Sequence, residues 1–383
     1  MTNSEELEVL YEVGLTYLKN ELFIDAIKQF DSIIKQSPIF NKAWYGKGIA
    51  FSNLANYFEA IKCFDHAIKI DYMYEDAWQE KGSSYMHLEK YTDAIKCFEK
   101  AIQIDPNHWN KWYAKGFALK CLGKYKEAID CFDTAINLNP SDYDSWDEKG
   151  SALYKLEYFK RAIQCFDTAI GINPGSVNSW HNKGLCLARI DQHKEAIACF
   201  NEALRINTDS SEIWVGMGVS LNTLGNHENA IKCFDCALSV NPRSENALYN
   251  KGVSLVALNR DDDAILCFDE VLKLNPKAID AWNSKGVLYL NCGKCHSTIE
   301  CCDKVIQLNP QSADAWQYKG TALLILGKYA EALKCFNKGL LMNPQSLLAW
   351  RNKGVTLKKL GRLEEAVMCL DKANQIDQSS NSN

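Results

Sequence analysis

A glycine recurs at Gly14, Gly48, Gly82, Gly116, Gly150, Gly184, Gly218, Gly252, Gly286, Gly320 and Gly354, always thirty-four residues after the last and with no insertion between. A period this strict means that one small unit is copied along the chain, each copy burying its apolar side chains against its neighbours rather than around a common centre. A chain of 383 residues would otherwise suggest two or three domains. The unbroken period makes a single solenoid the better expectation.

Residues 112–140 display the unit most fully. Trp112, Gly116, Leu119 and Leu122 mark one face of a helix, and Tyr125, Ala128, Ile129, Phe132, Ala135 and Ile136 recur at helical spacing in a second. Gly123 lies between them as a left-handed stop, and Pro140 ends the second helix by pushing Asn139 out of helical geometry. A tryptophan precedes nine of the eleven glycines by four residues, with Leu10 and Leu248 in the other two copies, and all eight prolines share one place in the unit.

Tryptophan, glycine, alanine, phenylalanine and proline at these offsets resemble the tetratricopeptide repeat over residues 7–380. The resemblance implies an all-α fold, a right-handed superhelical solenoid of stacked antiparallel helix pairs. Its repeats are 7–40, 41–74, 75–108, 109–142, 143–176, 177–210, 211–244, 245–278, 279–312, 313–346 and 347–380, after a polar lead at 1–6 and before a polar tail at 381–383. It also implies a non-catalytic scaffold or adaptor that binds a protein or peptide partner and needs no cofactor.

The charge balance agrees with that class. A formal charge of -5 and a pI near 5.9 supply no basic field for nucleic acid. Residues 1–10 lack a basic segment followed by an apolar run, and no stretch approaches the roughly eighteen apolar residues of a membrane span. The expectation is a soluble cytoplasmic protein. The histidines occupy scattered places in the unit and suggest no triad or ligand set.

Sixteen cysteines look like a disulfide framework until they are laid on the period. Ten then share one place, from Cys63 to Cys369, each just before the core phenylalanine position. Equivalent atoms of stacked repeats should lie roughly 10 Å apart, beyond the ~7 Å limit for bridged Cα atoms, so the ladder reads as packing by a small hydrophobe. A second pattern is charged. Nine repeats carry lysine immediately before the glycine, within the apolar arc, and in eight of these an acid stands sixteen residues earlier: Asp31, Asp65, Glu99, Asp133, Asp167, Asp235, Asp269 and Asp303. A partly buried ammonium needs a partner, so a ladder of inter-repeat ion pairs is expected.

In the resembled family the first helices line a concave groove. The places opposite tryptophan and glycine put Tyr11, Tyr45, Tyr113, Tyr249 and Gln317 there, followed by a more apolar strip of Val253, Val256, Val287, Leu290, Leu324 and Ile325, while Asn182 and Asn250 are what survives of the asparagine ladder that the resemblance to the O-linked sugar transferases of this family would imply. Apolar groups on an exposed face suggest a contact surface, whereas Val256, Leu290 and Leu324 also border the buried arc and could simply pad a neighbouring helix. Asp76, Asp144, Glu212, Asp280 and Asp314 could attract basic partners, or complement helix dipoles behind N-caps such as Ser210 and Ser312.

Repeat nine departs from the pattern. Cys292-Gly-Lys-Cys295-His296 has the spacing of a haem attachment sequence, and Cys301 and Cys302 follow. In register, however, Cys292, Cys295 and Cys302 replace a leucine, a tyrosine and a phenylalanine, and Thr298 replaces the small alanine. Cys295 and Cys302 would lie ~10 Å apart along one helix, too far to share a zinc ion bonded at ~2.3 Å. A softened core is the favoured reading. A metal or redox-responsive module using Cys292, Cys295 and His296 is the alternative.

Overall fold

The computed structural model describes residues 4–380, so the tail expected at 381–383 and the start of the lead lie outside it. The described residues form helices and no strand. They come as eleven pairs in register with the period, from Ser4–Lys19 with Phe23–Gln36 to Leu347–Lys359 with Leu363–Ser380. By its contacts the chain divides into two units, Met1–Ile206 with six pairs and Asn207–Asn383 with five. Within each unit successive pairs stack in chain order.

In nine of the pairs the core follows from small residues facing a phenylalanine. Phe30, Phe64, Phe98, Phe132, Phe166 and Phe200 are buried to within 1% in the first unit, as are Phe234, Phe268 and Phe336 in the second. Each ring edge lies against the glycine of its own repeat: a Cβ at Gly252 would sit 2.7 Å from Phe268, and one at Gly48 2.5 Å from Phe64. The flanking alanines, such as Ala128 and Ala135, have no exposed surface. The ladder cysteines are likewise buried, and every cysteine is a free thiol.

Tryptophan has a different job from the buried anchor its size suggests. Its ring is only partly buried, and its indole N–H donates to the backbone carbonyl six residues earlier, as from Trp112 to Pro106 at 2.9 Å and from Trp316 to Pro310 at 3.1 Å. Trp78 and Trp214 make the same bond to Tyr72 and Thr208, at 3.0 and 3.1 Å, so the carbonyl rather than the proline ring is what the contact requires. It ties nine of the first helices to the loop that precedes them.

The turn inside each pair is left-handed at one place in all eleven repeats. Gly123, Gly225, Gly293, Gly327 and Gly361 have φ from 71° to 77° there, and Glu21, Ala55, Glu89, Glu157, Asp191 and Asn259 have φ from 56° to 62°. The bond that closes the turn spans five residues, from Lys124 N–H to the Leu119 carbonyl at 2.9 Å and from Asn56 N–H to Phe51 at 2.9 Å, as in a Schellman motif.

The expected charge ladder forms. Lys47 reaches Asp31 at 2.6 Å, Lys81 Asp65 at 2.5 Å, Lys115 Glu99 at 2.9 Å and Lys183 Asp167 at 2.5 Å, and Lys149 pairs with Asp133. In the second unit Lys251 meets Asp235 at 2.6 Å, Lys319 meets Asp303 at 2.5 Å, and Lys285 pairs with Asp269. The lysines are less buried than a helical wheel suggests. In six of the eight pairs the lysine Nζ also lies over the tryptophan ring of the same helix, 5.2 Å from the Trp78 ring centre for Lys81, while the carboxylates stay about half exposed. Lys353, which has no acid sixteen residues earlier, lies over its tryptophan, with Nζ 5.0 Å from the Trp350 ring centre.

Candidate functional site

The face of the first helices opposite tryptophan and glycine differs between the two units. In Met1–Ile206 it is aromatic and acidic. Tyr45 and Tyr113 are half-buried, Tyr45 with its ring centre 5.9 Å from Phe64 and 5.1 Å from Tyr74, Tyr113 with its centre 6.0 Å from Phe132. Burial, then neighbouring carboxylates, raises the pKa of both phenols. Asn182 is half-buried. Two residues expected on this face in the two units lie inside instead: Tyr11 is 8% exposed against Phe30, and Gln317 is 8% exposed and accepts a hydrogen bond from Ser346 Oγ at 2.6 Å.

Asp144, Asp147 and Glu148 line a hollow of about 310 Å³ beside Ser176 and Asn178. Burial raises the pKa of Asp147 despite its hydrogen bond from Ser179 Oγ at 2.5 Å, and burial with the charge of Asp142 raises that of Asp144. Glu80 is raised likewise by burial and by Asp76. Glu148 pairs with Lys120. The helix-start carboxylates Asp76, Asp144, Glu212, Asp280 and Asp314 are exposed, and the crowding falls on Asp147 and Glu80 further along the same helices. Of the two serines expected as caps, Ser312 accepts from Ala315 N–H at 3.4 Å, whereas Ser210 turns its hydroxyl to Glu212 at 3.3 Å.

In Asn207–Asn383 the corresponding face is apolar. The first helices of repeats eight, nine and ten, Glu245–Ala257, Ile279–Asn291 and Ala313–Ile325, surround a hollow of about 500 Å³. Val253, Val256, Ala257 and Val287 form its walls, Phe268 and Leu288 its floor, and Asn283, Ser284, Asn291, Asp314 and Tyr318 its rim. Val253, Val256 and Val287 therefore come together as the apolar strip suggested. Leu290, Leu324 and Ile325 do not join them: Leu324 packs against the cluster of Leu323 and Phe336, Leu290 is half-buried, and Ile325 is 61% exposed outside the hollow. Tyr249 packs on Phe268 at 5.6 Å with its hydroxyl 3.4 Å from Ser284, and Asn250 turns back to donate to the Asn246 carbonyl at 2.8 Å. Tyr318 was not legible as a lining residue, because it lies one place beyond the series that names Gln317.

Repeat nine shows why its cysteine spacing misleads. Cys292 and His296 are exposed, whereas Cys295 and Cys302 are buried, 4% and 3% exposed. Burial pushes the Cys302 thiol up to about 12, away from the thiolate a metal needs. Among the described residues, the His, Cys, Asp or Glu donors that gather within 4.8 Å are those of Glu75, Asp105 and His108. An ammonium already occupies that group: Lys111, 2% exposed, lies 2.8 Å from Glu75 and 3.4 Å from Asp105, and donates to the Asp105 backbone carbonyl at 3.2 Å. No helix among the described residues is long and apolar enough to cross a membrane.

Helix pairs copied at a fixed period, with an open face of first helices, define a helical repeat protein of the interaction-scaffold class. The chain belongs to the tetratricopeptide repeat family, whose models match residues 42–72, 75–108, 109–142, 143–176, 177–210, 211–244, 245–278, 279–312, 313–346 and 348–380. Among solved structures it resembles the Cut9–Hcn1 hetero-tetramer of the APC/C, with a TM-score of 0.50 and 15% identity over 91% of this chain and 83% of that one. It also resembles YrrB, described as a tetratricopeptide repeat protein with an unusual peptide-binding site, with a TM-score of 0.44 and 21% identity over 50% of this chain and 98% of that one. For yeast Tom70 the values are 0.45 and 15%, over 97% and 92%. At such identities the Cut9 likeness concerns the fold alone. No curated protein matches the chain.

Proposed function

We propose that the protein is a non-catalytic scaffold that holds a segment of a partner protein against its first helices. The observation that carries this reading is the hollow of about 500 Å³ walled by Val253, Val256 and Val287. A helix face that neither packs on a neighbour nor faces water with polar groups is costly in isolation and gains by being covered, at roughly 25 cal/mol per Å² of apolar surface. The titratable groups that gather elsewhere are crowded carboxylates with raised pKa values, or a carboxylate group filled by Lys111, and neither arrangement provides a paired nucleophile and base. A photo-crosslinking amino acid placed at Val287 in the native cell should capture a partner that the same group at Lys69, on an exposed second-helix site, does not. Identical captures from both positions would remove this face from the reading.

A further inference from the structure

The hollow lies where consecutive helices of this unit pack most loosely. Ile279–Asn291 meets Asp261–Leu274, the second helix of repeat eight, less closely than any other consecutive helices of this unit meet, and it stands off from Glu245–Ala257 more than the neighbouring first helices stand off from one another. The gap opens on Phe268.

Its charge is one-sided. The one ionised group among the lining residues is Asp314, exposed on the first turn of Ala313–Ile325, and neither lysine nor arginine lines the hollow. Asp280 takes the same place one repeat earlier and is also exposed. Resting on the reading above that this face holds a partner, we infer that the occupant is an amphipathic protein segment bearing a lysine or arginine beside its apolar anchor. A branched or aromatic side chain fills the space over Phe268 between Val253 and Val287, and the cation meets Asp314. A glutamate in place of that cation would face Asp314 with like charge and be disfavoured there. The volume of about 500 Å³ lies within the range of sites that enclose side chains or small ligands, roughly 300–1,000 Å³.

A random peptide library displayed on phage and selected on the full-length protein tests this, followed by fluorescein-labelled synthetic copies of the selected sequences in anisotropy titrations. Selection should enrich Lys or Arg next to Leu, Ile, Phe or Trp, and replacing that cation by Glu should weaken binding by about 10-fold or more. Asp314→Lys should reverse the order of the two peptides, and Val253→Asp should release both, with Val253→Ala as a milder variant that keeps the helix intact. Peptides without a basic preference, or an unchanged order in Asp314→Lys, overturn the charge inference while loss of binding in Val253→Asp leaves the groove standing. Peptides indifferent to both substitutions, or a selection that yields none, overturn the inference and the groove reading together.

Discussion

Glu21, Ala55, Glu89, Glu157, Asp191 and Asn259 hold a left-handed backbone that five other repeats give to glycine. A side chain with a Cβ pays for that conformation at about 1 kcal/mol, because Cβ crowds the following carbonyl. Ala55→Gly should therefore raise stability by roughly 0.5–1 kcal/mol in chemical denaturation, and a loss would show that the turn does not need positive φ. The helical glycines behave in the opposite way. A Cβ at Gly252 would meet the Phe268 ring at 2.7 Å, whereas at Gly286 it would meet only Cys301 Cβ at 3.3 Å, since the facing phenylalanine is Cys302. Gly252→Ala is expected to cost about 1–3 kcal/mol by overpacking, and Gly286→Ala to be nearly neutral because a few tenths of an ångström of movement is offset by better helix propensity. Equal losses at the two sites would disprove the ring contact as the cause. The stop at Gly123 was legible in the sequence. Its six non-glycine equivalents were not, because no local signal marks a glutamate that must adopt positive φ; only the period does.

Between elements, the lysine and acid ladder was legible from covariation among repeats within one chain: where the acid is absent, at Asn201, the lysine too is replaced, by Met217. What a helical wheel overstates is burial. Lys115 keeps 20% of its side chain exposed and Glu99 45%, so solvent screens the pair. A double-mutant cycle with Lys115→Met and Glu99→Gln should give a coupling of roughly 0–1 kcal/mol that shrinks in 1 M salt, where the Debye length falls to about 3 Å. A coupling well above that range, insensitive to salt, would place the pair in a far drier junction. The apolar face was legible only in part, for a related reason. Sequence spacing assigns Val253, Val287, Leu324 and Ile325 to similar places on their helices, but whether such residues enclose a hollow depends on helix separation. That separation is set by how closely Ile279–Asn291 packs on Asp261–Leu274, which no position in the groove series reports. Leu324 pads its own repeat, against Leu323 and Phe336.

At the scale of the molecule, the thiols set an alkaline limit on stability. Burial raises Cys63, Cys186 and Cys302 to about 12, and Cys97, Cys131, Cys165, Cys233 and Cys301 to about 11. An unfolded cysteine titrates at about 8.5. Each of these groups therefore keeps its proton in the folded chain over a range where the unfolded chain loses it, so its contribution is fully present below pH ~8.5 and declines as pH rises toward the folded value. Lys81 and Lys285 act with the same sign at higher pH: burial lowers their pKa, but the hydrogen bonds they donate to Asp65 and Asp269 and the charges of those carboxylates raise it by more. Because eight thiols spread over both units titrate together, stability should be nearly level between pH 7 and 8 and should fall with increasing slope from about pH 9, under reducing conditions that prevent oxidation. Replacing Cys131 and Cys165 by alanine should lower stability at pH 7 by opening small cavities, yet make the alkaline decline shallower, which separates the ionisation effect from packing. Alkylation supplies an independent reading of the same burial. Iodoacetamide at pH 8 should modify the exposed Cys121 and Cys292 in the folded protein and reach the ladder thiols only at the rate of unfolding. A stability curve that stays level to pH 10, or rapid labelling of Cys131 in the folded chain, would show that the ladder is open to water and that alkaline sensitivity, where found, has another source.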